Sequence, residues 1–345
     1  MELHERRRRI LAAVVDDYVA TAEPVGSEAL ARKHDFGVKS ATIRNELAAM
    51  SEMGYLRQPH TSAGRVPSDL GYRYYVDELM PQPTLPLEDS YLAKQSYDPH
   101  ETEVEEILQQ TCRILAGLTQ YISLVTPPRV DVVTISQVAL LAVKPGKLLV
   151  ITVFSTGHID HRALDYSGNL SHANTVSLGN LVNARYHGAD MNTFALRTDK
   201  ELPSEMRLLE GLYQKITAVI KQALTSITET DLYVEGTSNM LKQPEFEQSE
   251  KASGIFETLA RRRVVFQVLG STLLGNGVTL VIGSENNFQE MQECSFVASS
   301  YSINGRPCGS VGVIGPTRMN YRQAVAAVRF MAHNLSELLS SLSID

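Results

Sequence analysis

Apolar positions near the amino end recur at steps of three and four. Ile10, Leu11, Val14, Val15 and Tyr18 make one apolar face and predict a helix from about Leu3 to Val19. EPVGS (Glu23 to Ser27) then breaks the pattern with Pro and Gly and supplies a small residue suited to capping a second helix, roughly Glu28 to His34. DFGV (Asp35 to Val38) predicts a turn, with Gly37 where a left-handed residue is needed. A third helix is expected to start at Ser40 as N-cap and to stop at Gly54. On its wheel Ile43, Leu47 and Met50 share one side, while Ala41, Arg44, Asn45 and Ala48 share the other. YLRQ (Tyr55 to Gln58) and RVP (Arg65 to Pro67) bracket PHTSAG and predict two short strands around a loop, holding Arg57 and Arg65 near each other.

Farther along, LMPQPTLPLEDS (Leu79 to Ser90) has no apolar period and is expected to be a linker. Val104, Leu108, Leu115, Leu118 and Ile122 fall at near-heptad steps and predict a helix over about Glu101 to Leu124. Val130 to Val143, Lys147 to Ser155 and His158 to Leu164 are rich in β-branched residues, and the KPGK turn between the first two predicts an antiparallel sheet. Leu209, Leu212, Ile216, Ile220 and Ile227 return to helical spacing. Strands resume at Gly277 to Ser284, Ser295 to Ile303 and Ser310 to Pro316. A closing helix begins near Tyr321, with Asn320 and Gln323 as a capping-box-like start.

The length of 345 residues suggests two or three domains, and 43% hydrophobic residues provide for packed cores. The net charge of −7 argues against a polyanion partner until its distribution is considered. Between Arg32 and Arg73 seven bases (Arg32, Lys33, Lys39, Arg44, Arg57, Arg65, Arg73) face four acids (Asp35, Glu46, Glu52, Asp69), a local balance of +3. Three scattered cysteines, Cys112, Cys294 and Cys308, fit a reducing cytosol. The amino end, MELHERRRRILAAVVDDY, has neither the order nor the length of a signal peptide or membrane anchor. The uncharged segment Val264 to Ser284 contains GNG and is expected to be a buried helix, turn and strand rather than a span.

Motifs for catalysis are sparse. HIDHR (His158 to Arg162) would point His158 and His161 to opposite faces of a strand, short of the three or four convergent ligands a metal needs. GSVGVIG (Gly309 to Gly315) lacks the following helix and acidic residue of a dinucleotide fingerprint, and GSENN (Gly283 to Asn287) is expected to be a turn with amide side chains. No catalytic residue, metal ligand or cofactor is therefore assigned. Helix, turn, helix and basic hairpin instead make a winged helix-turn-helix. Arg and Asn on the small outer face of the third helix are the side chains that pair with guanine and adenine edges in the major groove. The hairpin would grip phosphate or a minor groove. The candidate DNA-binding residues are Lys39, Ser40, Ala41, Thr42, Arg44, Asn45, Arg57, His60, Thr61, Ser62, Arg65 and Arg73. Three other readings stay open: a winged helix kept for protein contact, a metabolite-sensing regulator, and a catalyst with an accessory DNA-binding domain.

The stretch VGSEALARKHDFGVKSATIRNELAAMSEMGYLRQPHTSAGRVPSDLGYRYYVDEL resembles the HrcA family of heat-inducible transcription repressors. So do LYVEGTSNMLKQPEF (Leu232 to Phe246), GSENN, and NGRPCGSVGVIGPTRMNY (Asn304 to Tyr321), so the resemblance spans essentially the whole chain. It implies an α+β multidomain protein. A winged helix (1–80) and a Pro-rich linker (81–101) precede a GAF-like antiparallel-sheet domain (102–185 and 251–345), which is interrupted by an inserted dimerisation segment (186–250). It further implies a cytoplasmic homodimer that binds an inverted-repeat operator in double-stranded DNA ahead of chaperone operons. The family's chaperonin partner would keep the repressor competent, and no membrane would be involved.

Overall fold

The computed structural model describes residues 3–60, 63–98, 103–128, 133–156, 158–167, 170–198, 202–228, 232–246, 249–260 and 277–342. Three helices open the chain: α1 (Glu5–Thr21), α2 (Ser27–Lys33) and α3 (Ser40–Glu52). They pack through Ile10, Leu11, Val14, Ile43, Leu47 and Met50, all buried as the periodicity predicts, and through Leu30 of α2. Gly37 and Gly54 both take positive φ, where a side chain would be strained. The short strands β1 (Leu56–Arg57) and β2 (Val66–Pro67) pair antiparallel, and Val25 joins their edge through reciprocal hydrogen bonds with Arg65 of 2.9 and 2.8 Å. Helix α4 (Asp69–Tyr74) follows immediately and runs on as a π-helical turn, Tyr75–Leu79.

The stretch expected to be a linker, 81–101, is partly helical: α5 (Leu87–Gln95) starts after Pro86. Glu88 and Asp89 in its first turn and Lys94 in its last complement the helix dipole. The long helix is also shorter than its apolar period suggests. After α6 (Val104–Thr119), Gln120 takes a left-handed φ of 57°, and the chain turns into β3 (Ile122–Val125), whose side chains are all buried.

Beyond the β1–β2 hairpin, the described residues form two sheets rather than one. The first has three antiparallel strands, β4 (Ile135–Lys144), β5 (Lys147–Phe154) and β6 (Ile159–Asp165). One face packs against α7 (His172–Tyr186), α8 (Met191–Thr198) and α9 (Glu210–Thr228) in a separate core that includes Val138, Val150, Phe154, Val182 and Ile220. This sheet thus belongs with the segment that follows it. Its separate core starts at Val133, so the boundary expected at 186 falls inside a packed unit.

The second sheet adds β7 (Tyr233–Glu235), β8 (Val278–Ile282), β9 (Cys294–Ile303) and β10 (Arg306–Pro316) in the order β7-β3-β10-β9-β8, every pair antiparallel. Helices α10 (Thr237–Leu241) and α11 (Ser249–Ala260) lie between β7 and β8, and α12 (Tyr321–Leu342) closes the chain. Alternate side chains go to opposite layers. Val125, Val297, Val311 and Val313 meet α6 and α12, while Ile122, Leu124, Phe296 and Ile314 meet Met240, Phe246 and Ile255. Both faces are covered, so β10 is buried from Cys308 to Pro316. Asn320 caps α12 as expected, its Oδ1 accepting from the Gln323 amide at 3.1 Å. The stretch from Val264 to Asn276 lies outside the described residues, and Val278–Ile282 at its end is the edge strand β8. Among the described residues no helix is long and apolar enough to cross a membrane.

Two measurements follow from these packing constraints. A Cβ added at Gly309 would lie 2.4 Å from the hydroxyl of the fully buried Tyr301, which donates to the Thr126 carbonyl at 2.7 Å. Gly309→Ala is therefore expected to cost about 1–3 kcal/mol by overpacking, measured as a lower unfolding midpoint; an unchanged midpoint would refute the strand packing. All three cysteines are buried, and burial pushes each thiol up to about 12. They stay protonated at pH 8, so a thiol reagent should react slowly with the native protein and rapidly in denaturant; a fast native reaction would contradict this burial.

Candidate nucleic-acid interface

Helix α3 presents the two faces that its sequence dictates. Ile43, Leu47 and Met50 are buried, while Ala41, Arg44 and Asn45 are exposed and Ala48 is half-buried. Among the described residues Arg44 and Asn45 have no hydrogen-bond or ion-pair partner. Their donors therefore remain available to an external group. The cap differs from expectation by one residue. Ser40 is already helical and Lys39 is the N-cap, its carbonyl accepting from the Thr42 and Ile43 amides at 3.0 and 3.2 Å with no side-chain cap. Lys39 is exposed at that end, with Ser40 and Thr42 half-buried.

The hairpin meets this face through Arg65. Its Nε donates to Ser51 Oγ at 2.9 Å, and Ser51 in turn donates to the Leu47 carbonyl at 2.9 Å, which fastens the hairpin to α3. Arg44 and Arg65 line one open groove of about 410 Å³, together with Val25, Ser27, Gln58 and Gly64, and with Glu28 as its acid. Gln58 Nε2 donates to the Ala63 carbonyl at 3.0 Å across the base of the loop. His60 is exposed near the tip; Thr61 and Ser62 lie outside the described residues.

Two of the expected residues stand elsewhere. Arg57 is paired with Val66, one position past Arg65, so the two-residue period of the strands puts the arginines on opposite sides. Arg57 instead lines a second cavity of about 350 Å³ with Tyr18, Asp69, Tyr72, Glu245, Glu293 and Arg318. Arg73 is taken up by the rest of the protein. Its guanidinium forms a two-pronged pair with Glu285, at 2.8 Å from Nε, donates to the Leu280 carbonyl at 3.0 Å, and approaches Asp77 at 3.4 Å. Burial alone would raise the Glu285 carboxyl, but hydrogen bonds from Arg73 and the Ile282 amide outweigh it and hold the group below its usual range. Arg73 therefore does not join the arginines of the groove.

The GSENN loop is the receiving surface for Arg73. Buried Asn286 ties the loop together by donating to the Gly283, Met291 and Cys294 carbonyls. Asp69 accepts from the Ser284 amide at 2.9 Å, and a Cβ on Gly283 would lie 2.6 Å from the Asp69 carboxylate. The Tyr72 and Tyr321 rings meet at a tilt of 51° with centroids 5.6 Å apart, and Arg318 reaches the Val19 carbonyl at 3.1 Å.

Residues of α1 also serve α3. Glu46, next to Asn45, is paired with Arg7 at 2.7 Å and lies 3.7 Å from Arg6 and 3.8 Å from His4. The one acid in the middle of α3 is thereby neutralised. The basic run Arg6 to Arg9 is plain in the sequence, but the partner of Arg7 is 39 positions away and only the fold brings it close.

Comparison with known proteins agrees with this architecture. The family model described as "HrcA protein C terminal domain" matches residues 105–325. The heat-inducible transcription repressor HrcA of Pelotomaculum thermopropionicum is 37% identical over 342 residues, covering 99% of this chain and 98% of that protein. Its counterpart in Carboxydothermus hydrogenoformans is 37% identical over 339 residues, covering 98% and 99%. A crystal structure of a hypothetical protein at 2.2 Å resolution aligns with a TM-score of 0.68 and 22% identity over 99% of this chain and 100% of that one, a likeness of fold. By the family model and by full-length identity, the chain belongs to the HrcA family of heat-inducible transcription repressors.

Proposed function

We propose that residues 1–80 are a winged-helix DNA-binding domain of a dimeric repressor, with α3 as the reading helix and the β1–β2 hairpin as the wing. One observation carries the reading: unpartnered Arg44 and Asn45 stand on a small outer face, with Arg65 on the same groove as Arg44. Ala41 between solvent and helix lets the backbone come close to base edges. Arg44 and Asn45 suit paired hydrogen bonds to guanine and adenine in the major groove. Lys39, at the positive end of α3, and Arg65 suit phosphate, as does His60 at the loop.

For dimerisation we propose the outer face of the β4-β5-β6 sheet. Ala139, Leu141, Leu149, Ile151, Val153, Ile159 and Ala163 are cross-strand neighbours on it, Val143 lies at the register shift at its edge, and Leu141, Val143 and Ile159 are more than half exposed. Gln137, His161 and the Lys147–Asp165 pair interrupt or edge the face. An apolar centre with a polar rim is the composition of a protein interface. A two-fold dimer would carry two reading helices onto an inverted repeat. The five-stranded sheet with helices on both faces is read as the GAF-like domain. Family membership supports an operator ahead of chaperone operons and a chaperonin that keeps the repressor competent. Footprinting on such a promoter, with and without chaperonin, tests both.

Arg44→Ala or Asn45→Ala should cost about 1–3 kcal/mol and relax discrimination at one position of each half-site. Arg65→Ala should weaken all sequences alike and lower the salt slope by about one. Binding curves at several salt concentrations on operator variants separate the two patterns; identical behaviour would end this division of labour. Ile151→Asp should convert the dimer to a 38.1 kDa monomer in analytical ultracentrifugation; a persistent dimer would exclude the sheet face as the interface.

A further inference from the structure

The stretch after Leu79 carries the short helix α5, and Tyr97 beyond it bonds Thr111 of α6 at 2.7 Å, but this connection is only one of the constraints that aim the amino-terminal domain. Non-covalent contacts also set its direction: beside the Arg318–Val19 bond, Asp69 and Arg73 anchor it on the Gly283–Glu285 loop. The Asp69 carboxylate takes the Ser284 amide at 2.9 Å, and Arg73 spans the Glu285 carboxylate and the Leu280 carbonyl. Two-pronged arginine–carboxylate pairing fixes angle as well as distance. Gly283 is what lets Asp69 come so near, since a Cβ there would sit 2.6 Å from the carboxylate and its φ is +49°. On the receiving side, the loop continues from β8 and is therefore part of the five-stranded sheet. On the other side, α4 follows the wing strand β2 after one residue, Ser68. The interlock is thus a rigid bracket between the wing and the body.

We propose that this interlock is a spacing gauge: Asp69, Arg73 and the Gly283–Glu285 loop are positioning residues that fix the separation and rotation of the two reading helices. The inference rests on the dimeric winged-helix reading above. None of these residues touches DNA. They determine which distance between half-sites both domains can bind at once. Simultaneous binding to two half-sites adds about 10²–10⁴ over one, and this gain exists only where the geometry permits it. Adding about five base pairs turns one half-site to the opposite face of the duplex, since a turn is about 10–10.5 base pairs.

The test uses the full-length protein, the native inverted repeat, the same repeat lengthened by five base pairs, and an isolated half-site. Wild-type protein is expected to bind the lengthened repeat about 10²–10⁴-fold more weakly than the native one. Glu285→Gln and Gly283→Ala, both in the body, should leave half-site affinity within about twofold of wild type while shrinking that spacing penalty at least about tenfold. Glu285→Gln keeps the side chain's shape, so it decides the matter if Gly283→Ala loses half-site binding. A spacing penalty as large as that of wild type in Glu285→Gln would overturn the inference and leave the DNA-binding reading standing. A wild-type protein that ignores spacing, or fails to bind a half-site, would overturn the reading itself and the inference with it.

Discussion

The close approach of two backbones at Gly64 and Val25 underlies the amino-terminal surface. A Cβ on Gly64 would lie 2.5 Å from the Val25 carbonyl carbon and oxygen. Without one, Arg65 exchanges both backbone hydrogen bonds with Val25, and the hairpin is joined to the connection between α1 and α2. A two-stranded hairpin alone is marginal in water. Here it is held on one side by Val25 and on the other by the Arg65–Ser51 bond to α3. The groove shared by Arg44 and Arg65 follows from those two attachments.

The body is organised by the same economy of layers. Five antiparallel strands covered on both faces bury β9 and β10 almost completely, and a second sheet with a separate core carries an open apolar face. A covered sheet makes a stiff platform, and the loop after β8 offers that stiffness to the amino-terminal domain through Asp69 and Arg73. The repressor's chemistry is therefore one of position. Burial holds the thiols protonated, while Arg44 and Arg65 face the groove and Arg73 and Arg318 link the amino-terminal segment to the rest of the protein.

Much of this was legible in the sequence because it depends on neighbours in the chain. The burial of Ile43, Leu47 and Met50, the glycine turns at Gly37 and Gly54, the hairpin strands and the Asn320 cap all follow from local period and local chemistry. The failures depend on distant partners. Arg73 resembles any other base of the amino-terminal island until Glu285, 212 positions on, is seen beside it. Arg57 and Arg65 part company through strand parity, which the loop length between them conceals. The heptad of α6 overran into β3 because ISLV suits a strand as well as a helix, and Gln120 gave no sign of its left-handed turn. That the β4-β5-β6 sheet shares a core with the helices after it was not legible, because β-branched patterning identifies strands without saying which sheet they join.

The most direct test of the reading surface is photocrosslinking from single positions of the full-length protein to operator DNA. With a benzophenone amino acid at position 45, irradiation should join the protein to a base within each half-site, whereas the same group at position 73 should crosslink within the protein and leave DNA free. Efficient crosslinking to DNA from position 73 and none from position 45 would contradict the account.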